Sequence, residues 1–209
     1  MNLEQTTAAH LLSINAVKLQ PEKPFTWASG WLSPIYCDNR KTLSFPTVRS
    51  FISGELARLT KAKYSDVEVV AGVATGAIAH GVLVANLLGL PFVYVRSAPK
   101  DHGLENLVEG DLKVAQKVVV IEDLISTGGS SLKAIEALRS AGAQVMGMLA
   151  IFNYGFTQAA EKFLKAKVEL TTLCNYDAII AQAAEMNYIS ENQIEILKKW
   201  RETPETWGK

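Results

Sequence analysis

From residue 67 onward the apolar positions fall into short unbroken runs separated by amphipathic stretches. Residues 67–72, 91–95 and 117–121 (KVVVI) read as strands, and 145–152 and 168–173 are further strand candidates. Residues 75–88 and 130–141 read as helices between them. In the second helix Ile135 and Leu138 face inward, while Lys133, Glu136 and Arg139 face outward. The last two strand candidates are each followed by helical sequence. Strand runs without polar alternation are covered on both faces, which requires a parallel sheet with helices packed against it. The fold class expected is therefore α/β, a Rossmann-like parallel sheet flanked by helices over about residues 67–175.

The first third differs in character. Residues 3–19 carry a helical apolar period (Leu3, Ala8, Leu11, Leu12, Ile14, Val17). Pro21, Pro24, Gly30 and Pro34 then punctuate a stretch rich in Trp, Phe and Tyr, read as short strands and turns. A helix is expected over 46–59, with Pro46 suited to its first turn, and a last helix over about 190–202. The 209 residues suit one domain: an N-terminal part to about residue 66, the α/β core, and C-terminal helices from about residue 176.

Composition narrows the function. With 21 Lys and Arg against 21 Asp and Glu, the formal net charge is zero. No basic excess exists to grip a nucleic acid backbone, so any phosphate site must be local. Cys37 and Cys174 fit no disulfide framework. The opening MNLEQTTAAH lacks the basic and apolar regions of a signal peptide. The run 82–95 contains Asn86, Gly89 and Pro91 and is shorter than the ~20 residues of a membrane span. A soluble protein of the cytoplasm is expected, with neither membrane nor nucleic acid as partner.

The chemistry concentrates in VVVIEDLISTGGSS, residues 118–131. Four β-branched residues make a buried strand, and Glu122 and Asp123 stand where it should end. Ser126, Thr127, Gly128, Gly129, Ser130 and Ser131 lead directly into a helix. A Gly-rich turn at a helix N-terminus offers free N–H groups and the positive end of a dipole to an anion. The acidic pair would repel a phosphate beside it, but suits vicinal hydroxyls or a divalent cation nearby. Together these groups point to a sugar phosphate. A plain Ser/Thr-capped turn is the bland alternative, and it leaves the paired acids unexplained. The loop is neither a Walker A motif nor a dinucleotide fingerprint. A second unusual segment, residues 96–116, is too long for an ordinary loop and places Arg96, Lys100 and His102 within seven residues.

The 118–131 segment resembles the phosphoribosyl-diphosphate (PRPP) signature of the type I phosphoribosyltransferases. FTWASGWLSPIYCDNR (25–40), AGVATGAIAHG (71–81) and RSAPKDHG (96–103) follow in that family's order and are similar to its orotate-using branch. The resemblance implies that fold with a small N-terminal hood from 25–40, and Mg²⁺-dependent transfer of phosphoribose from PRPP to orotate. It implies that Glu122 and Asp123 hold the ribose hydroxyls. Leu124, Ile125, Ser126, Thr127, Gly128, Gly129 and Ser130 would bind substrate, with 126–130 around the 5-phosphate. Residues 72–76 would receive pyrophosphate. Lys100, Asp123, Arg96 and His102 would be catalytic, three of them on a mobile loop shared between the subunits of a homodimer. The Mg²⁺ would be held mainly by PRPP, with no protein metal site. The chain departs from part of the family at Ala28, Gly76 and Ser97, where some members carry Lys, and this shifts charge neutralisation onto Arg96, Lys100 and Mg²⁺.

The remaining candidates read as structural. His80 lies on an apolar helix and His10 on an exposed one. Cys37 and Cys174 read as inert core thiols, and Trp200 and Trp207 as packing or interface residues. A purine phosphoribosyltransferase would share the signature but not the 25–40 and 96–103 stretches. A regulator that senses PRPP and binds nucleic acid would need a basic surface that zero net charge does not supply.

Overall fold

A computed structural model of the chain describes residues 2–27, 29–98 and 107–208. In chain order its elements are α1 (Leu3–Ser13), β1 (Val17–Leu19), β2 (Phe25–Thr26), β3 (Leu32–Ser33), β4 (Ile35–Cys37), α2 (Pro46–Lys63), β5 (Val69–Val73), α3 (Ile78–Leu88) and β6 (Phe92–Val95). There follow β7 (Val108–Glu109), β8 (Lys117–Ile125), α4 (Gly129–Ser140), β9 (Gln144–Asn153), α5 (Thr157–Lys165), β10 (Leu170–Asn175), α6 (Tyr176–Glu185) and α7 (Glu191–Glu202). They gather into two units, Pro46–Leu173, and Met1–Phe45 with Cys174–Lys209. Residues 46–66 thus belong with the sheet.

In the first unit six strands lie in the order β10-β9-β8-β5-β6-β7. β5 is parallel to β6 and to β8, β8 is parallel to β9, and β7 runs antiparallel to β6. The expected parallel sheet flanked by helices is present. Val118, Val119, Val120 and Ile121 are completely buried in β8, as a strand covered on both faces demands. Val69, Ala71, Val118, Val120, Met148 and Ala150 meet Ala134, Ile135 and Leu138 of α4 and Ala159 and Phe163 of α5 in one core cluster. Each Val, Leu, Ile, Met or Phe side chain among them stabilises the fold by roughly 1.5–3 kcal/mol on leaving water.

Several boundaries differ from those read in the sequence, among them helix α2, which runs on to Lys63, and three have a tertiary cause. The 3–19 period stops at Ser13 because Asn15 takes a left-handed backbone (φ 54°) and Val17–Leu19 pairs with Ile35–Cys37. Strand β8 runs past residue 121 to Ile125 because its partner β9 continues alongside it, pairing Leu124 with Phe152 and Ile125 with Asn153. Helix α3 begins at Ile78, not at residue 75, and the three residues before Ala77 form the turn that leaves β5. The long 96–116 segment also contains β7.

That unequal pairing positions the site. β5 follows β8 only as far as Gly72 opposite Ile121, then turns away into α3. Beyond that point β8 has β9 on one side and a crevice on the other. The chain proceeds from β5 to β6 in one direction, whereas β8 lies in the other, so the crevice sits where strand order reverses.

In the second unit Asn2 caps α1 reciprocally with Gln5, β1 pairs with β4, and β2 with β3. Trp200 of α7 is buried, meets Trp27 edge-on at 5.6 Å and donates its indole N–H to the Leu32 carbonyl at 3.0 Å. It is a packing residue, as expected. Cys37 and Cys174 are buried and form no disulfide, and burial pushes the Cys174 thiol up to about 12, which leaves it unreactive.

Gly147 in β9 allows close approach. A Cβ there would lie 2.6 Å from Cζ of Tyr64, whose hydroxyl donates to Glu169 Oε2 at 3.1 Å. Gly147→Ala is expected to lower unfolding free energy by about 1–3 kcal/mol through overpacking. Urea titration should show the same substitution costing less in a Tyr64→Phe background, where the crowded oxygen is gone.

Candidate active site

The crevice holds a cleft of about 280 Å³ lined by Val73, Ala74, Thr75, Gly76, Glu122, Asp123, Leu124, Ser126, Thr127, Gly128 and Ser130. A second cleft of about 710 Å³ adjoins it, sharing Val73, Ala74 and Ser130 and adding Arg96, Ser97, Leu107, Gly129 and Lys133 among others. The 71–81, 96–97 and 118–131 segments are thus assembled around one crevice, although nothing local in the sequence joins them.

Helix α4 supplies the anion-binding end. Its N-cap, Gly128, has φ 77° and makes no side-chain cap. A left-handed N-cap favours glycine, and a Cβ there would also press to 3.1 Å from Phe163. With no capping side chain, the first-turn N–H groups keep their hydrogen-bonding capacity for a ligand. The loop is tied down from below by Lys162, whose Nζ donates to the Thr127 carbonyl at 3.1 Å. Lys162 is 35 residues away, and no sequence signal marked it.

The two acids occupy different environments. Glu122 is only 4% exposed and Ser131 1%. The Ser131 hydroxyl donates to Glu122 Oε2 at 2.8 Å, and the Asp123 backbone N–H donates to Oε1 at 3.0 Å. Burial, and then the charge of Asp123, raise the Glu122 carboxyl well above the ordinary range. Asp123 is half-buried and borders the turn from β5. A Cβ on Gly76 would overlap the Asp123 carboxylate. In this arrangement the acid occupies the space that a side chain at residue 76 would need.

The other candidates divide. Leu124, Ser126, Thr127, Gly128 and Ser130 line the smaller cleft and Gly129 the larger. Ile125 lines neither; its side chain is fully buried in the sheet core and its carbonyl accepts from Tyr154 N–H at 3.0 Å. Only its backbone borders the loop. Arg96 lies on the wall of the larger cleft. Lys100, His102 and Ala28 lie outside the described residues. His80 is buried on α3 and lines neither cleft. Among the described residues, no three His, Cys, Asp or Glu side chains cluster to hold a metal ion, and no helix is long and apolar enough to cross a membrane. Ser131 was visible in the signature, but its role beneath Glu122 was not.

Sheet and cleft together define a phosphoribosyl-transferring class of protein, and residues 51–184 match the family described as Phosphoribosyl transferase domain. An orotate phosphoribosyltransferase of Porphyromonas gingivalis is 62% identical over 206 residues, covering 99% of this chain and 98% of the relative. One from Phocaeicola vulgatus is 59% identical, covering 98% and 97%. The crystal structure of orotate phosphoribosyltransferase from Aeropyrum pernix superposes with a TM-score of 0.76 at 30% identity, covering 88% of this chain and 99% of that one. The chain belongs to the orotate phosphoribosyltransferase family.

The raised Glu122 carboxyl has a measurable consequence. The folded protein keeps that proton after the unfolded chain, with an ordinary value of 4.5, has released it. Folded stability therefore falls as pH rises above that value. Glu122→Gln removes this titration. The melting-temperature difference between variant and wild type should shift in the variant's favour from about pH 5 to about pH 8. A constant difference would mean that Glu122 titrates as in the unfolded chain.

Proposed function

We propose that this chain transfers the 5-phosphoribosyl group from PRPP to orotate, giving orotidine 5′-monophosphate and pyrophosphate, in pyrimidine biosynthesis in the cytoplasm. The reading is carried by one juxtaposition: an acidic pair and an uncapped helix N-terminus in a single cleft. It is supported for orotate by the full-length likeness to orotate phosphoribosyltransferases.

In this reading the first turn of α4, with Ser126, Thr127 and Ser130, takes the 5-phosphate. Asp123, with Glu122 beneath it, accepts hydrogen bonds from the ribose hydroxyls and favours the positive charge that develops on C1. Residues 72–76, at the turn that leaves β5, receive the diphosphate. A bond forms from the deprotonated ring nitrogen of anionic orotate to C1 as the bond from C1 to the diphosphate oxygen breaks, and the electron pair leaves with pyrophosphate. Arg96 clamps that leaving group as a bidentate donor, Lys100 adds a point charge, and His102 donates to it. Preorganised charge and orientation supply the rate. With no cluster of three ligands among the described residues, the site suits a Mg²⁺ that PRPP oxygens and water would hold for the most part. Bound with PRPP, Mg²⁺ would supply neutralisation of the charge growing on the diphosphate.

The direct test is PRPP-dependent loss of orotate absorbance, with adenine, guanine and uracil as competing acceptors. Orotate alone should be consumed, and chelation of Mg²⁺ should abolish turnover. Consumption of a purine in its place would overturn the assignment.

The homodimer with a shared loop is tested by complementation. Lys100→Ala and Asp123→Ala should each lower turnover about a hundred- to thousandfold. Mixed under subunit exchange, about half the dimers become mixed, and about a quarter of the sites regain both residues if the loop acts in the neighbour's site. No recovery, with exchange confirmed independently, means that each loop serves its own subunit.

A further inference from the structure

Helix α5 reaches the turn before α4 at two consecutive residues. Lys162 Nζ donates to the Thr127 carbonyl at 3.1 Å, and no other donor meets that carbonyl among the described residues. Next to it, the Phe163 ring stands 3.1 Å from where a Cβ on Gly128 would lie. Phe163 is itself buried in the core cluster. One residue of α5 thus seats the turn on the core while the other holds a single peptide oxygen.

That oxygen governs a donor at the other side of the same peptide. The Thr127–Gly128 bond is trans, so its C=O and N–H are coplanar and point in opposite directions. With the carbonyl held toward α5, the Gly128 N–H is turned away from α5. Thr127 and Gly128 both line the smaller cleft, and no residue of α5 does. The Gly128 N–H makes no hydrogen bond among the described residues, so its capacity is open to a ligand. Glycine admits either sign of φ, and the 127–128 peptide could turn over unless its carbonyl were fixed. Lys162 supplies that fixed point.

We propose that Lys162 is a positioning residue for the 5-phosphate of PRPP: by holding the Thr127 carbonyl it aims the Gly128 N–H at that phosphate. This rests on the reading of the α4 N-terminus as the 5-phosphate site. Lys162 lines neither cleft and acts through the backbone of the turn.

Lys162→Met keeps the aliphatic stem and removes the donor, whereas Lys162→Arg keeps a donor. Steady-state kinetics should show Lys162→Met raising KM for PRPP about tenfold, the scale of one lost hydrogen bond, with kcat within about threefold. The inhibition constant of ribose 5-phosphate, which has the 5-phosphate and no diphosphate, should rise in parallel. That of inorganic pyrophosphate should stay within about twofold, and Lys162→Arg should restore the response to PRPP and to ribose 5-phosphate. A general loosening of the fold would raise both inhibition constants together, and that result overturns the positioning role. Ser130→Ala separates this proposal from the reading beneath it. If Ser130→Ala weakens ribose 5-phosphate and Lys162→Met does not, the positioning role is overturned while the 5-phosphate site stands. If neither variant weakens it, both fall together.

Discussion

Strand β8 is paired on both sides for its first half and on one side for its second, and the crevice exists because of that difference. Val118 to Ile121 are enclosed between β5 and β9 and completely buried. Had β5 continued beside β8, the backbone of residues 122–125 would be covered there and no ligand could reach it. Instead β5 leaves at residue 73 for the turn into α3, and β9 keeps the extension of β8 in register. The rigid half of the strand anchors the half that carries chemistry. A site held on a sheet in this way keeps its geometry better than one carried on loops alone.

The acidic pair is tolerable only because of what lies around it. Burying a carboxylate is costly unless it is hydrogen-bonded, and Glu122 meets that condition through Ser131 and the Asp123 backbone. Its environment favours the neutral form, which spares Asp123 a second full charge alongside. The open N-terminus of α4 then sits within the same cleft, so acceptors and donors are sorted within a few residues. Gly76 and Gly128 are needed for sterically different reasons, one to leave room for a carboxylate and one to turn the chain.

The second unit rests on contacts of another kind. Trp200 packs on Trp27, bonds to the Leu32 carbonyl and meets Tyr176 at 5.6 Å, while Tyr176 donates to the Leu197 carbonyl at 3.0 Å. A C-terminal helix and an N-terminal hairpin are joined by one buried indole. The separation of 168 residues between Trp200 and Leu32 explains why the sequence marked Trp200 only as a packing residue and not with what it packs.

Much of this was already legible along the chain. Unbroken β-branched runs demand a strand covered on both faces, so the α/β class and the order of its elements followed from hydrophobic patterning alone. The 118–131 segment carried its own chemistry, because acids, hydroxyls and glycines adjacent in sequence stay adjacent in space. Pairing decided the rest. Residue 15 ends a helical period because a neighbouring strand claims the residues after it, and β8 is long because β9 is. Ile125, placed in a binding segment by its neighbours, turns into the core because successive side chains on a strand face opposite ways. Ser131 beneath Glu122 and Lys162 under the loop became partners only on folding, since the forces between them act across distances that sequence spacing does not encode.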